Sequence, residues 1–117
     1  MLFIKNNVIY VANAGDARCI LSVNGKVFTM SQDHKPNVLT EKHRIMKAGS
    51  VITAEGRIDG NLNLSRAIGD LAYKKKPKLK AIEQAIISLP DVKKFEINPN
   101  LDFAVIGCDG VFERKTN

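Results

Sequence analysis

Short apolar runs broken by turn residues fill the first thirty positions. Residues 2–4 and 8–12 flank Lys5-Asn6-Asn7, and residues 19–23 and 26–30 flank Asn24-Gly25. Asn-Gly between two apolar runs is the strongest short-range hairpin signal, because both residues tolerate positive φ. The pattern predicts an antiparallel meander over residues 1–30, with Gly15-Asp16 at a bend between its hairpins. After the polar stretch 31–38 the spacing becomes helical. Thr40 can cap a short helix, Glu41 favours its positive N-terminal end, Ile45 and Ala48 share an apolar side, and Gly49 can end it in the left-handed conformation. Residues 51–53 and 57–58 read as strands broken by Glu55-Gly56 and Asp59-Gly60. From Leu62 the period is ambiguous until residues 83–88. Residues 93–97 alternate as a half-buried strand does, and 103–106 form a continuous apolar run that fits a strand covered on both faces. That run ends at Gly107-Cys108-Asp109-Gly110. No repeat or low-complexity linker divides the chain, so one domain, or part of one, is expected.

Composition narrows the class. A length of 117 residues and an apolar fraction of 44% permit one small core. The formal charge of +6 points to an anionic partner: nucleic acid, a membrane surface or a phosphorylated substrate. Lys74, Lys75, Lys76, Lys78 and Lys80 crowd around Pro77 in what reads as a solvated loop. Without aromatic interleaving or a recognisable binding motif, nucleic acid is not the expected partner. Cys19 and Cys108 lie far apart with no CxxC spacing, which suits a reduced intracellular protein with two packed thiols. No apolar run approaches the roughly 18 residues of a membrane span, and the N-terminus does not resemble a signal peptide. A soluble protein of the cytoplasm or nucleus, with no membrane partner, is expected.

Three acid-bearing turns could carry chemistry: Gly15-Asp16, Gly69-Asp70 and Asp109-Gly110. A carboxylate beside glycine at the end of an apolar segment is one way to bring hard oxygen ligands to a sheet edge. Mg²⁺ and Mn²⁺ favour such ligands. Each pair is equally an ordinary turn, so spacing alone leaves both readings open.

The flanking residues add a resemblance. Val11-Ala12-Asn13-Ala14-Gly15-Asp16-Ala17-Arg18 resembles the "ANxGDSR" segment of PP2C-type metal-dependent serine/threonine protein phosphatases, and Gln32-Asp33-His34-Lys35-Pro36 resembles their "DHKP". Residues 41–49 are similar to "ExxRIxxAGG", with Gly56-Arg57-Ile58-Asp59-Gly60 in place of "xRVxG". Residues 62–70 are similar to "LAxSRAxGD", Pro90-Asp91-Val92 to "PxV", and residues 108–113 to "CDGxWD". These blocks stand in family order across nearly the whole chain.

The resemblance implies an α+β fold, part of a PP2C-like β-sandwich flanked by helices in α-β-β-α layers with mostly antiparallel strands. It implies a binuclear Mg²⁺ or Mn²⁺ centre where the two sheets meet. Asp70 and Asp109 match metal-coordinating aspartates, and Asp16 matches one associated with a third, more weakly held ion. Leu71-Ala72 lacks the acidic residue that many relatives carry after the Gly-Asp pair. Residues 33–60 match the flap beside the catalytic cleft, a region concerned with substrate choice. Arg18, Arg44 and Arg66 are expected in internal salt bridges, His34 in a structural turn, and His43 on a helix surface. Cys108 is expected to be a small buried residue, since the nucleophile of this chemistry is a metal-bound water.

The family's "DGHGG" turn, its phosphate-gripping arginine and its "DNxS" strand do not occur in these 117 residues. The expectation is therefore a partial domain over 1–117, central to C-terminal, whose N-terminal and extreme C-terminal portions are missing. Two aspartates cannot neutralise two divalent ions, so this chain by itself is expected to be inactive. One reading is hydrolysis of phosphoserine and phosphothreonine in phosphoproteins by a metal-activated water. The alternative is a catalytically inactive PP2C-like fragment serving as a structural or interaction module, with a protein partner covering its open strand edges.

Overall fold

Left-handed asparagines close the first hairpins. In the computed structural model, which describes residues 1–112 and 114–117, Asn6, Asn7, Asn24 and Gly25 have φ of 50, 60, 51 and 67°. They fold β1 (Leu2–Lys5) onto β2 (Val8–Asn13) and β3 (Arg18–Val23) onto β4 (Lys26–Thr29). The hairpins do not continue into one meander, however. β2 takes β5 (Asp91–Glu96) as its second neighbour and β3 takes β6 (Leu101–Gly107), giving two antiparallel sheets ordered β1-β2-β5 and β4-β3-β6. Burial explains the change. Ile9 and Val11 on β2 and Cys19 and Leu21 on β3 all need cover, and two sheets laid face to face supply it for both.

These strands, with α2 (Asp109–Phe112), belong to a compact unit of Met1–Asp33 and Pro90–Asn117. Its core is Ile9, Val11, Cys19, Leu21 and Met30, flanked by Leu2, Val23, Phe95, Ile97 and Leu101. Phe28 meets Phe95 with ring centroids 5.4 Å apart, joining β4 to β5 across the sheets. The apolar run on β6 is a strand, but among the described residues it is not covered on both faces: Phe103 is 60% and Ile106 56% exposed. β6 lies at one edge of its sheet, and no described residue buries those side chains.

The second compact unit, His34–Leu89, is mostly irregular. Its α1 (Leu39–Lys47) starts from Val38, with no side-chain cap, so Thr40 lies inside the first turn and does not cap it. Gly49, at φ 81°, ends α1 as expected, its N–H donating to the Met46 carbonyl (2.9 Å) while Ser50 donates to Ile45 (3.2 Å). Residues 51–53 and 57–58 form no strands. Turn residues interrupt them too closely for a ladder, and only isolated bridges remain, Ile52 to Ile58 and Ile58 to Leu62. Two 3-10 turns, Leu71–Lys74 and Ala81–Glu83, complete the elements. Ile45, Ile58 and Ile86 form the core, with Ile52, Leu62, Leu64, Ala67 and Tyr73 around them. The class is α+β with antiparallel sheets. Among the described residues no helix is long and apolar enough to cross a membrane.

Candidate functional site

Asp109 opens α2 directly beyond β6, partly exposed, with its Oδ1 accepting from the Gly110 N–H at 2.8 Å. The close fold of α2 onto the strand depends on Gly107. A Cβ there would meet Phe112 Cε2 at 2.9 Å and Val111 Cβ at 3.2 Å. Arg18, paired with Gly107 across β3 and β6, fixes the same corner. Its Nε and Nη2 donate to Asp33 Oδ1 and Oδ2 at 3.1 and 2.8 Å, and its guanidinium lies 4.8 Å from the Phe112 ring centroid. Gly107→Ala is accordingly expected to cost about 1–3 kcal/mol and to displace the Phe112 ring. The change is measurable as a lower unfolding midpoint and a shifted Phe112 ring resonance.

Asp16 is partly buried in the bend between β2 and β3. The bend is tied by buried Asn13, whose Nδ2 donates to the carbonyls of Gly15 (3.1 Å) and Gln32 (3.0 Å). Sequence reasoning gave Asn13 no role of its own, although it stands inside the quoted block.

Asp70 belongs to the other unit. It is exposed and left-handed (φ 48°, ψ 44°) behind Gly69 (φ 93°), at the start of the first 3-10 turn. Its carbonyl accepts from Tyr73 N–H at 3.0 Å, and Lys74 Nζ donates to the Ala67 carbonyl at 2.7 Å, closing the loop from the other side. Aspartate is among the few residues that tolerate this backbone.

The tightest electrostatic construction centres on an acid that sequence reasoning did not name as a salt-bridge partner. Glu41 is 1% exposed. Its Oε2 accepts from Arg44 Nη1 and from the Ser65 hydroxyl, both at 2.7 Å, and its Oε1 accepts from Arg66 Nη2 at 2.7 Å and Nε at 3.1 Å. Arg44 Nη2 also donates to the Ser65 carbonyl (2.6 Å), and Arg66 Nη1 to that of Leu89 (3.0 Å). Burial alone would push the Glu41 carboxyl up; hydrogen bonds from Arg66, Ser65 and Arg44 outweigh it and hold it at about 2. Glu41 thus stands in the first turn of α1, as expected, and also joins the helix to residues 65–66. The signal was present as Glu41 and Arg44 one turn apart and as Ser65-Arg66 in a shared block.

Arg18, Arg44 and Arg66 all sit in internal salt bridges, as expected. His34 is buried and its carbonyl accepts from Ser65 N–H (2.8 Å), whereas His43 is exposed on α1. Cys108 departs from expectation: it is exposed while Cys19 is buried, because Cys108 sits in the open turn after β6. Glu113, the last residue of the final block, lies outside the described residues.

As metal donors, Asp70 and Asp109 offer hard oxygens that solvent reaches. Among the described residues no group of three or more His, Cys, Asp or Glu side chains could hold an ion. Mg²⁺ keeps several waters and is commonly held by one or two carboxylates, so a full site draws on more than one element. Each aspartate by itself therefore fits as one donor of such a set.

The family described as Protein phosphatase 2C matches residues 1–117. "Probable protein phosphatase 2C 4" of Paramecium tetraurelia is 56% identical over 112 residues, 96% of this chain and 36% of that protein. "Protein phosphatase 2C 1" of the same organism is 56% identical over 110 residues, 94% of this chain and 36% of its own length. A crystal structure of a Toxoplasma gondii phosphatase superposes with a TM-score of 0.81 at 40% identity, covering 91% of this chain and 32% of that one. The chain spans about a third of the length of these relatives.

Proposed function

We propose, because this chain belongs to the protein phosphatase 2C family, that the protein it builds hydrolyses phosphoserine and phosphothreonine esters in other proteins. The observation that carries the reading is the family match over all of residues 1–117, which includes all three aspartate turns. In this reading Asp70 and Asp109 would hold Mg²⁺ or Mn²⁺, with Asp16 toward a weaker third ion. Such ions, when bound, supply an activated water and a positive clamp on the phosphoryl oxygens.

The chain's own residues contribute position. Gly107 lets α2 turn back tightly enough to set Asp109 just past β6, and Arg18 holds that turn through Asp33 and Phe112. Gly69 and the left-handed Asp70 present a carboxylate at the head of a braced loop. The Glu41 network keeps residues 65–66, just before that loop, in place. Two free thiols suit a reducing compartment, the cytoplasm or nucleus. Exposed Phe103 and Ile106 call for a protein surface that covers β6.

The test is phosphate release from a phosphothreonyl peptide by the complete protein that contains this chain, in Mn²⁺ or Mg²⁺. Release that stops with EDTA and returns when the ion is restored is expected. No release under any divalent ion overturns the reading and favours the inactive interaction module.

A further inference from the structure

The formal charge of this chain is confined to one of its two units. Residues 34–89 carry eleven lysines and arginines against five acids, while 1–33 with 90–117 carry seven of each. Five of the eleven, Lys74, Lys75, Lys76, Lys78 and Lys80, lie in one loop. Lys74 Nζ bonds the Ala67 carbonyl, whereas Lys75, Lys76, Lys78 and Lys80 are exposed.

The backbone beneath them is pinned. Gln84, 4% exposed, accepts from Lys76 N–H at 3.1 Å and donates through Nε2 to the carbonyls of Lys76 (2.9 Å) and Leu79 (3.0 Å). Glu83 Oε2 accepts from Lys80 N–H at 2.9 Å. A loop that served only to be soluble would not need a buried glutamine saturating its backbone. Pinning holds the loop in one shape and lowers the ordering cost of binding. Hollows of about 310 and 380 Å³ share Lys75 and Lys76 in their walls. The acid of the first, Asp59, already accepts from Val51 N–H at 2.9 Å.

We propose that this lysine loop is a docking platform for acidic residues flanking the phosphorylated site of the substrate, so that the protein selects phosphoproteins of acidic local sequence. The proposal rests on the phosphatase reading for the word substrate, but not for the binding itself. Nucleic acid carries comparable charge, yet the adjoining aromatic, Tyr73, packs against the isoleucine core, so bases lack a free stacking face.

The experiment uses the full chain and two dye-labelled phosphothreonine peptides, identical except that flanking glutamates in one are glutamines in the other. Fluorescence anisotropy should show the acidic peptide binding about tenfold more tightly, an advantage removed by K75Q/K78Q/K80Q and by about 0.5 M salt. Where phosphate release is measurable, the loss in the variant should fall on KM for the acidic peptide and leave kcat in place. Equal binding of the two peptides, or a preference that survives in the variant, overturns the proposal. So does an oligonucleotide of equal charge that displaces the acidic peptide at lower concentration. If the charge-dependent preference persists while the complete protein that contains this chain hydrolyses neither peptide, the phosphatase reading fails and the platform stands.

Discussion

Replacing Glu41 by glutamine is expected to remove roughly 3–5 kcal/mol of folding stability, the usual cost of leaving buried charge unpaired. The side chain keeps its volume, so no cavity enters the comparison. What changes is that Arg44 and Arg66, each 12% exposed in its side chain, lose their common counter-ion. Arg44 retains carbonyl acceptors at Ser65, Gln84 and Ala85, and Arg66 retains Leu89, which softens the loss without restoring charge balance. Denaturant unfolding monitored in the His34–Leu89 unit measures it, and a change under about 1 kcal/mol would show that the network contributes no more than a surface pair. The same carboxylate sets a pH dependence. Its ordinary value of 4.5 falls to about 2 on folding, so its stabilisation is complete above the unfolded value and is lost as pH falls through the folded one. That gap is worth about 3 kcal/mol at neutral pH. Stability should therefore decline from about pH 5 toward pH 2, and the glutamine variant should lack that limb of the profile.

Asp109→Asn is expected to lower divalent-dependent phosphate release by about a thousandfold, on the scale seen when one preorganised electrostatic group is removed from a site. The substitution is informative because it is locally mild. Among the described residues the hydrogen bond given to the Asp109 side chain is from the adjacent Gly110 N–H, and an asparagine oxygen accepts that bond equally well. Stability should stay within about 0.5 kcal/mol of the parent, which separates loss of a ligand from loss of fold. A carboxylate lost from an ion's shell also weakens the ion, so the Mn²⁺ concentration for half-maximal release should rise. Parent-like rates at parent-like Mn²⁺ concentrations would remove Asp109 from the ligand set.

Local rules carried furthest where a turn decides the outcome. Both hairpins form at the predicted asparagines, and α1 ends at Gly49, because positive φ is a property of the residue itself. They failed where a segment's partner lies far along the chain. Nothing in residues 8–23 distinguishes pairing of β2 with β3 from pairing with strands some eighty positions away. Likewise, the short runs read as strands at 51–53 and 57–58 could not reveal that closely spaced turns leave only single bridges. The lysine loop was legible as a charge cluster, but not as a pinned one, since Gln84 becomes a clamp only when burial denies it water.

The acidic turns show the same division. Their residues and their order along the chain are properties of the sequence, and they place this protein in its family. Tertiary structure alone decided that Glu41 receives two arginines, and that Gly107 must lack a side chain for Phe112 to close over it. Turn conformation depends on neighbours in sequence, so the chain specified it unaided. Sheet partners, burial and charge balance depend on groups brought close by folding, and those distances exist only in the folded chain.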